Sequence, residues 1–218
     1  MKLLWSPETA SKAFIDTIKS CENFEEFGVA ELLSAMAAGW NAKLILHACS
    51  PAAASSAVTT IGLAVAARHT GGRYVCAVVD ERAKSEYVKN LQEAGVSSPT
   101  EVIVGEAEMI GVDFVVLDCK RKDFGRVLRL VKVSEKGAIL VCKSTWPRDF
   151  EKLIPKGTRV VRSVSLPVGQ GLSIIHIGSS NGGAGNGGAM ISTSKSRSRW
   201  TMHVDERSGE EHVYRERI

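Results

Sequence analysis

Three residues able to do chemistry stand where nearly continuous apolar runs end: Asp80 after YVCAVV, Asp118 after VDFVVL and Lys143 after GAILVC. In an open α/β sheet, ligands bind outside the carboxyl ends of the strands, so all three would face one crevice. The carboxylates can accept hydrogen bonds from hydroxyl groups or help to hold a hard cation. The lysine brings a fixed positive charge that would lower the pKa of a nearby hydroxyl or hold an anionic ligand, and that would pair with Asp118 when the site is empty. Each has a plainer role too. Asp80 can cap a helix beginning at Glu81, and Asp118 with Lys143 can form a purely structural ion pair. His47, in the run LILHA, is of the one residue type whose unperturbed side chain changes charge near neutral pH, which makes it a candidate base, although a satisfied core histidine is the simpler reading. Ser55 opens a helix whose first N–H groups can receive a carboxylate or phosphate. Cys49, Cys119 and Cys142 also fall at strand ends, which raises soft-metal ligation or a reactive thiol beside lysine. Cysteine as a small buried apolar residue is the commoner case.

The elements that must position these residues follow from the pattern. Ser6-Pro7-Glu8 combines a capping serine, a proline at the first helical position and an acid in the first turn, so a helix begins there. Ala10, Phe14, Ile15 and Ile18 are expected to mark its apolar face. A second helix is expected from about Val29 to Ala38. From residue 43 the pattern turns to strand, helix, strand: Leu44 to Ala48, Ala54 to Ala67, and Tyr74 to Val79. The helix RAKSEYVKNLQEAG follows, then the strands TEVIVG and VDFVVLD, the helix DFGRVLRLVKV and the strand GAILVCKS. These strands hardly alternate, as expected when helices cover both faces of a parallel sheet. TRVVRSVSL and LSIIHIG, joined by PVGQG, read as a hairpin. The expected fold is α/β and doubly wound, a mostly parallel seven-stranded sheet finished by a C-terminal antiparallel hairpin. Residues 1–40 form an N-terminal helical segment, 41–178 the α/β domain, and 179–218 a flexible Gly/Ser-rich and charged tail with no packed domain expected.

The 218 residues, 44% hydrophobic and 24% charged, suffice for one globular domain with sequence to spare. The net charge of +4 does not mark a nucleic-acid binder, because it is spread along the chain: from Ser179 onward six Lys/Arg face five Asp/Glu. Five cysteines, an odd number with no CxxC pair, read as reduced thiols in the cytoplasm. The apolar start MKLLW is too short for a signal-peptide core, and Glu8 soon follows. Ala52 to Ala67 leans apolar but is broken by Ser55, Ser56, Thr59 and Thr60 and falls short of bilayer thickness. Neither nucleic acid nor membrane is expected as a partner.

VVDERAKSEYVKNLQEAGV, GEAEMI, VDFVVLDCKRKDF and, most specifically, LPVGQGLSIIHI carry a family resemblance over residues 41–178. This part of the chain resembles the class I S-adenosylmethionine-dependent methyltransferases, and among them the cation-dependent caffeoyl-CoA type of O-methyltransferase. With its WSPETASKA start and HVDERSGEEHV end, the whole chain is similar to a plant family of unassigned function related to these enzymes. The resemblance implies S-adenosylmethionine as cofactor, a small-molecule acceptor and a homodimer. It aligns Asp80 with the carboxylate that accepts from the two ribose hydroxyls, and Gly105-Glu106-Ala107 with the stretch beside adenine. The implied cofactor-contacting set is Ala48, Ser50, Ser55, Asp80, Glu106, Ala107 and Asp118, with Asp118 and Lys143 at the reacting centre.

The sequence departs from that pattern at two places. His47 stands where the family has an acid, and Cys49 and Ala53 where it has glycines that let backbone approach the ligand. Asp118 matches one metal-holding acid, but Cys142 and Lys143 replace an Asp-Asn pair and Lys120 replaces a further acid. One carboxylate beside two ammonium groups suits neither Mg²⁺ nor Ca²⁺, so no divalent cation is expected. Two functions stay open: a metal-independent O-methyltransferase, and a non-catalytic binding or scaffold protein that retains the fold.

Overall fold

The apolar runs become the strands of one sheet: β1 (Leu44–Ala48), β2 (Arg73–Val78), β3 (Glu101–Val104), then, beyond the short β4 (Met109–Val112), β5 (Phe114–Asp118). After β6 (Val131–Val133) come β7 (Ala138–Lys143), β8 (Val160–Leu166) and β9 (Leu172–Ile177). The structure, a computed structural model, describes residues 5–22, 24, 28–49, 55–93, 101–105, 107–119, 124–145, 154, 158–178, 198–204 and 211–217. The seven-stranded sheet runs β3-β2-β1-β5-β7-β9-β8. The pairs among β3, β2, β1, β5 and β7 are parallel, and the β8/β9 hairpin joins β7 antiparallel. Strand order reverses between β1 and β5, which puts the ligand crevice of such a sheet at their carboxyl ends.

Five helices accompany these strands among the described residues: α1 (Pro7–Ser20), α2 (Val29–Gly39), α3 (Ser55–Thr70), α4 (Glu81–Glu93) and α5 (Phe124–Leu130). One core layer joins Ile45, Tyr74, Phe114 and Val141 of the sheet to Leu33, Leu63 and Tyr87 of the helices. The other joins Leu46, Val75, Val115 and Leu140 to Leu128 of α5. Burial of both faces is why the strands read as unbroken Val, Ile and Leu. Helix α3 is buried nearly all round, through Val58, Ile61, Leu63, Val65 and Ala66. It crosses α2 so closely that a Cβ on Gly62 would lie 2.6 Å from the Ala30 carbonyl oxygen. Gly62→Val should therefore force the helices apart and lower stability by about 1–3 kcal/mol, readable as an earlier urea midpoint with unchanged slope.

Two sequence expectations need correction here. The buried face of α1 is Ala10, Ala13 and Thr17, whereas Phe14, Ile15 and Ile18 are 40%, 51% and 40% exposed. Close packing on α2 selects small residues: the Thr17 hydroxyl donates to the Ala13 carbonyl (2.7 Å) and lies 2.8 Å from Ser34 Oγ across the contact. Hydrophobic periodicity ranks side chains by polarity and is blind to this demand on size. The run expected as one helix through residue 133 instead leaves helix at Leu130, and Val131–Val133 pairs in parallel with the unforeseen β4. Val131 and Val133 are β-branched and favour that extended state.

The chain divides into two units, Met1–Gly182 and Gly183–Ile218. Within the second, β10 (Ser198–Val204) and β11 (Glu211–Arg217) pair antiparallel, Trp200 opposite Arg215 and Met202 opposite Val213. These strands differ from the flexible tail expected there; Trp200, Met202 and Val204 alternate with a period of two. Residues 179–197, the Gly/Ser-rich stretch, lie outside the described residues. Among the described residues no helix is long and apolar enough to cross a membrane.

Candidate functional site

The end of β2 carries Asp80. Its Oδ1 accepts from the Ala83 N–H at 2.7 Å, so the plainer role is real: Asp80 caps α4. The residue is exposed, and a carboxylate has about four acceptor positions, so capping leaves room for a ligand's hydroxyls. Just past β3, Gly105 adopts a φ of +80°, a conformation that favours glycine, and its N–H donates to the Val78 carbonyl at 2.9 Å. That bond ties the turn before Ala107, which is half-buried, to the strand end that carries Asp80. Ala48 ends β1 fully buried in the sheet. Ser55 begins α3. Ser50, Ala53, Glu106 and Lys120 lie outside the described residues.

Across the switch point, Asp118 and Lys143 are register partners at the ends of β5 and β7. Asp118 is buried and Lys143 half-buried. The Lys143 ammonium donates to Thr59 Oγ1 at 2.6 Å. Thr59 lies in the second turn of α3, four residues on from Ser55. The lysine therefore reaches from β7 toward the start of the helix that follows β1. In the sequence Thr59 stands out only as an interruption of an apolar run; its spacing from Ser55 on one helix face is the signal that marks it. Immediately beyond Lys143, Ser144 takes a φ of +60°, a left-handed conformation uncommon for serine and typical of functional turns.

The donor set here does not fit a hard divalent cation. Asp118 offers oxygen, but its neighbour in register is an ammonium group and Cys142 offers sulfur. No group of three or more His, Cys, Asp or Glu among the described residues is arranged to hold a metal ion, which leaves the soft-metal idea without support. Burial, together with the Cys119 thiol, pushes the Cys142 pKa well above the usual thiol range. Cys142 is thus held as a neutral thiol, contrary to the idea of a reactive thiolate beside lysine.

His47 is 1% exposed and belongs to the core. Its Nδ1 is 3.0 Å from the Tyr74 hydroxyl, which donates to Thr60 Oγ1 at 3.2 Å, and Thr60 Oγ1 lies 2.8 Å from the Tyr87 hydroxyl. Burial drives the pKa of both tyrosines up, so they remain neutral phenols. This polar network joins β1, β2, α3 and α4 beneath the crevice. Tyr74, Thr60 and Tyr87 were not foreseen, because partners brought together by tertiary packing leave no local spacing to read.

The sequence profile of a family described as a protein of unknown function (DUF1442) matches residues 1–216. The chain belongs to the DUF1442 family. A search of curated proteins finds no match. Among solved structures, a methyltransferase from Geobacter sulfurreducens is 18% identical to this DUF1442 chain, with a TM-score of 0.50 over 77% of this chain and 89% of that one. The SAH-bound methyltransferase PaMTH1 from Podospora anserina gives 14% identity and 0.50 over 79% and 89%. A candidate caffeoyl-CoA O-methyltransferase from Staphylococcus aureus gives 14% and 0.51 over 76% and 92%. At these identities the likeness is one of fold: the DUF1442 sheet is a methyltransferase-type sheet.

Proposed function

We propose that this chain is an S-adenosylmethionine-dependent O-methyltransferase that acts on a small molecule without a divalent cation. One observation carries the reading: an exposed carboxylate at the end of β2 and an ammonium group at the end of β7 flank the β1/β5 switch point of a methyltransferase-type sheet. When bound, S-adenosylmethionine supplies an electrophilic methyl group. Asp80 would accept from the two ribose hydroxyls while its Oδ1 keeps the α4 cap. Ala48, Ser50, Ser55, Glu106 and Ala107 would line the donor. Asp118 would orient its reacting end, and Lys143 would lower the pKa of the acceptor hydroxyl and steady the resulting oxyanion. A homodimer, a plant source and a cytoplasmic location belong to the same proposal, on the strength of the family resemblance and the odd cysteine count.

A second reading, a non-catalytic binding or scaffold protein, is favoured by His47. Where the related enzymes have an acid, this chain has an imidazole sealed into a core network. Calorimetric titration with S-adenosylmethionine and S-adenosylhomocysteine separates the two. Micromolar binding is expected; no heat at millimolar ligand, with the protein folded, would leave only the scaffold.

A further inference from the structure

We propose that Cys49 and Cys76 form a reversible oxidation site, in which an oxidant of the peroxide class links the two sulfurs and pins the end of β1 to β2. The Sγ atoms lie 3.0 Å apart. A disulfide needs about 2.05 Å, so closure asks for about 1 Å of movement. The ladder determines which partner moves. Cys76 sits inside β2, opposite His47 on one side and Val102 of β3 on the other. Cys49 lies one residue past the last β1 pair, Ala48 with Ala77, outside the ladder. The displacement therefore falls on Cys49 rather than on Cys76. Both thiols are buried, at 1% and 0% exposure, so burial slows the first oxidation, but a sulfenic acid formed on one has the other sulfur 3.0 Å away to resolve it. Cys49 also lies at the carboxyl-end side of the sheet, the side from which small molecules enter such a fold, and peroxide is little larger than water.

The chemistry balances with hydrogen peroxide as the oxidant. One thiolate attacks a peroxide oxygen; the S–O bond forms, the O–O bond breaks and hydroxide leaves, taking the released proton as water. The second thiolate then attacks that sulfur, the S–S bond forms and the sulfenic oxygen departs as a second water. Two thiols lose two electrons in all, and peroxide gains them. A dithiol reverses the step by exchange.

The consequence for ligand binding rests on the function proposed above. The link draws Cys49, the residue that follows β1, toward β2 beside the proposed donor site, and should weaken S-adenosylhomocysteine binding about tenfold. The full-length protein is treated with hydrogen peroxide, alkylated, and mapped by mass spectrometry without reduction. The expected product is a cross-linked peptide pair containing Cys49 and Cys76, lost on dithiothreitol treatment and absent from both Cys49→Ala and Cys76→Ala. Hydrogen exchange over residues 44–60 should slow in the linked form. Alkylation of both thiols after peroxide treatment, a link between any other pair, or unchanged exchange would overturn the proposal. Titration of the reduced and linked forms with S-adenosylhomocysteine tests the regulatory consequence, and equal affinity would refute it. If the reduced protein binds no ligand, the methyltransferase reading fails, while mapping and exchange still decide the oxidation site.

Discussion

Asp113→Ala is expected to cost about 3–5 kcal/mol, read as a large fall in the urea midpoint. Asp113 is 3% exposed and sits just before β5, at the amino ends of the strands. Its Oδ2 accepts from the main-chain N–H of Lys43 at 2.6 Å and of Leu44 at 3.2 Å, and its Oδ1 meets the Lys136 ammonium at 3.3 Å. The Asp113 backbone adds bonds to Leu44 and Ile139, so one residue fastens the starts of β1, β5 and β7. Hydrogen bonds to a charged group contribute about 1.5–3 kcal/mol each, and removing the carboxylate orphans two N–H groups as well. Lys136→Met should cost less, about 1–2 kcal/mol, because the buried Asp113 carboxylate keeps its two main-chain N–H partners and Lys136 itself is one-third exposed. Asp113→Asn should fall between the two. All of this lies at the opposite end of the sheet from Asp80 and Lys143, so folded Asp113→Asn should keep its ligand affinity. A loss under about 1 kcal/mol for Asp113→Ala would mean that water replaces the carboxylate.

Asp113 also shows where the sequence stops being legible. Within VDFVVLD it reads as a polar residue at the edge of an apolar run, and nothing local says that its partners are Lys43 and Leu44, about seventy residues away. The strands themselves are plain to read, because burial on both faces writes itself into every position. The hairpin at PVGQG is equally plain: Gly169 and Gly171 take φ values of +58° and +87°, the conformations that such a turn demands. Legibility fails where size or pairing outweighs polarity. Helix α1 turns Ala13 and Thr17 inward and leaves Phe14 and Ile15 outside, and three residues of an apparent helix pair as β6 because β4 is there to receive them.

At the candidate site, side chains at strand ends could be located from their position after apolar runs, and the structure does bring Asp118 and Lys143 side by side. Their contacts could not be read. The ammonium group of Lys143 meets Thr59 of α3, and His47 meets Tyr74 of β2, through distances of chain that carry no periodic signal. His47 takes the plainer of its two readings, a core histidine 1% exposed with Nδ1 against the Tyr74 hydroxyl. Among the described residues, the crevice has a carboxylate at one flank and an ammonium at the other.

Asp80→Asn divides the two roles of that carboxylate. Asparagine caps helices about as well as aspartate, so its side-chain oxygen should still accept from the Ala83 N–H, with a stability loss below about 1 kcal/mol from the missing charge at the start of α4. Ligand binding is another matter. With its one oxygen held by the cap, the amide would present N–H donors toward hydroxyls that need acceptors, and the charged hydrogen bonds proposed to the ribose, about 1.5–3 kcal/mol, would be lost. S-Adenosylhomocysteine affinity should fall about 10- to 100-fold in a protein whose thermal unfolding barely changes. Asp80→Ala should lose the same affinity and, in addition, about 1 kcal/mol of stability with the cap. Wild-type affinity in Asp80→Asn would reduce Asp80 to a helix cap and strip the proposed donor site of its only exposed carboxylate among the strand-end residues described. A selective loss of binding would instead establish that the free lone pairs beside the cap are what the nucleoside uses.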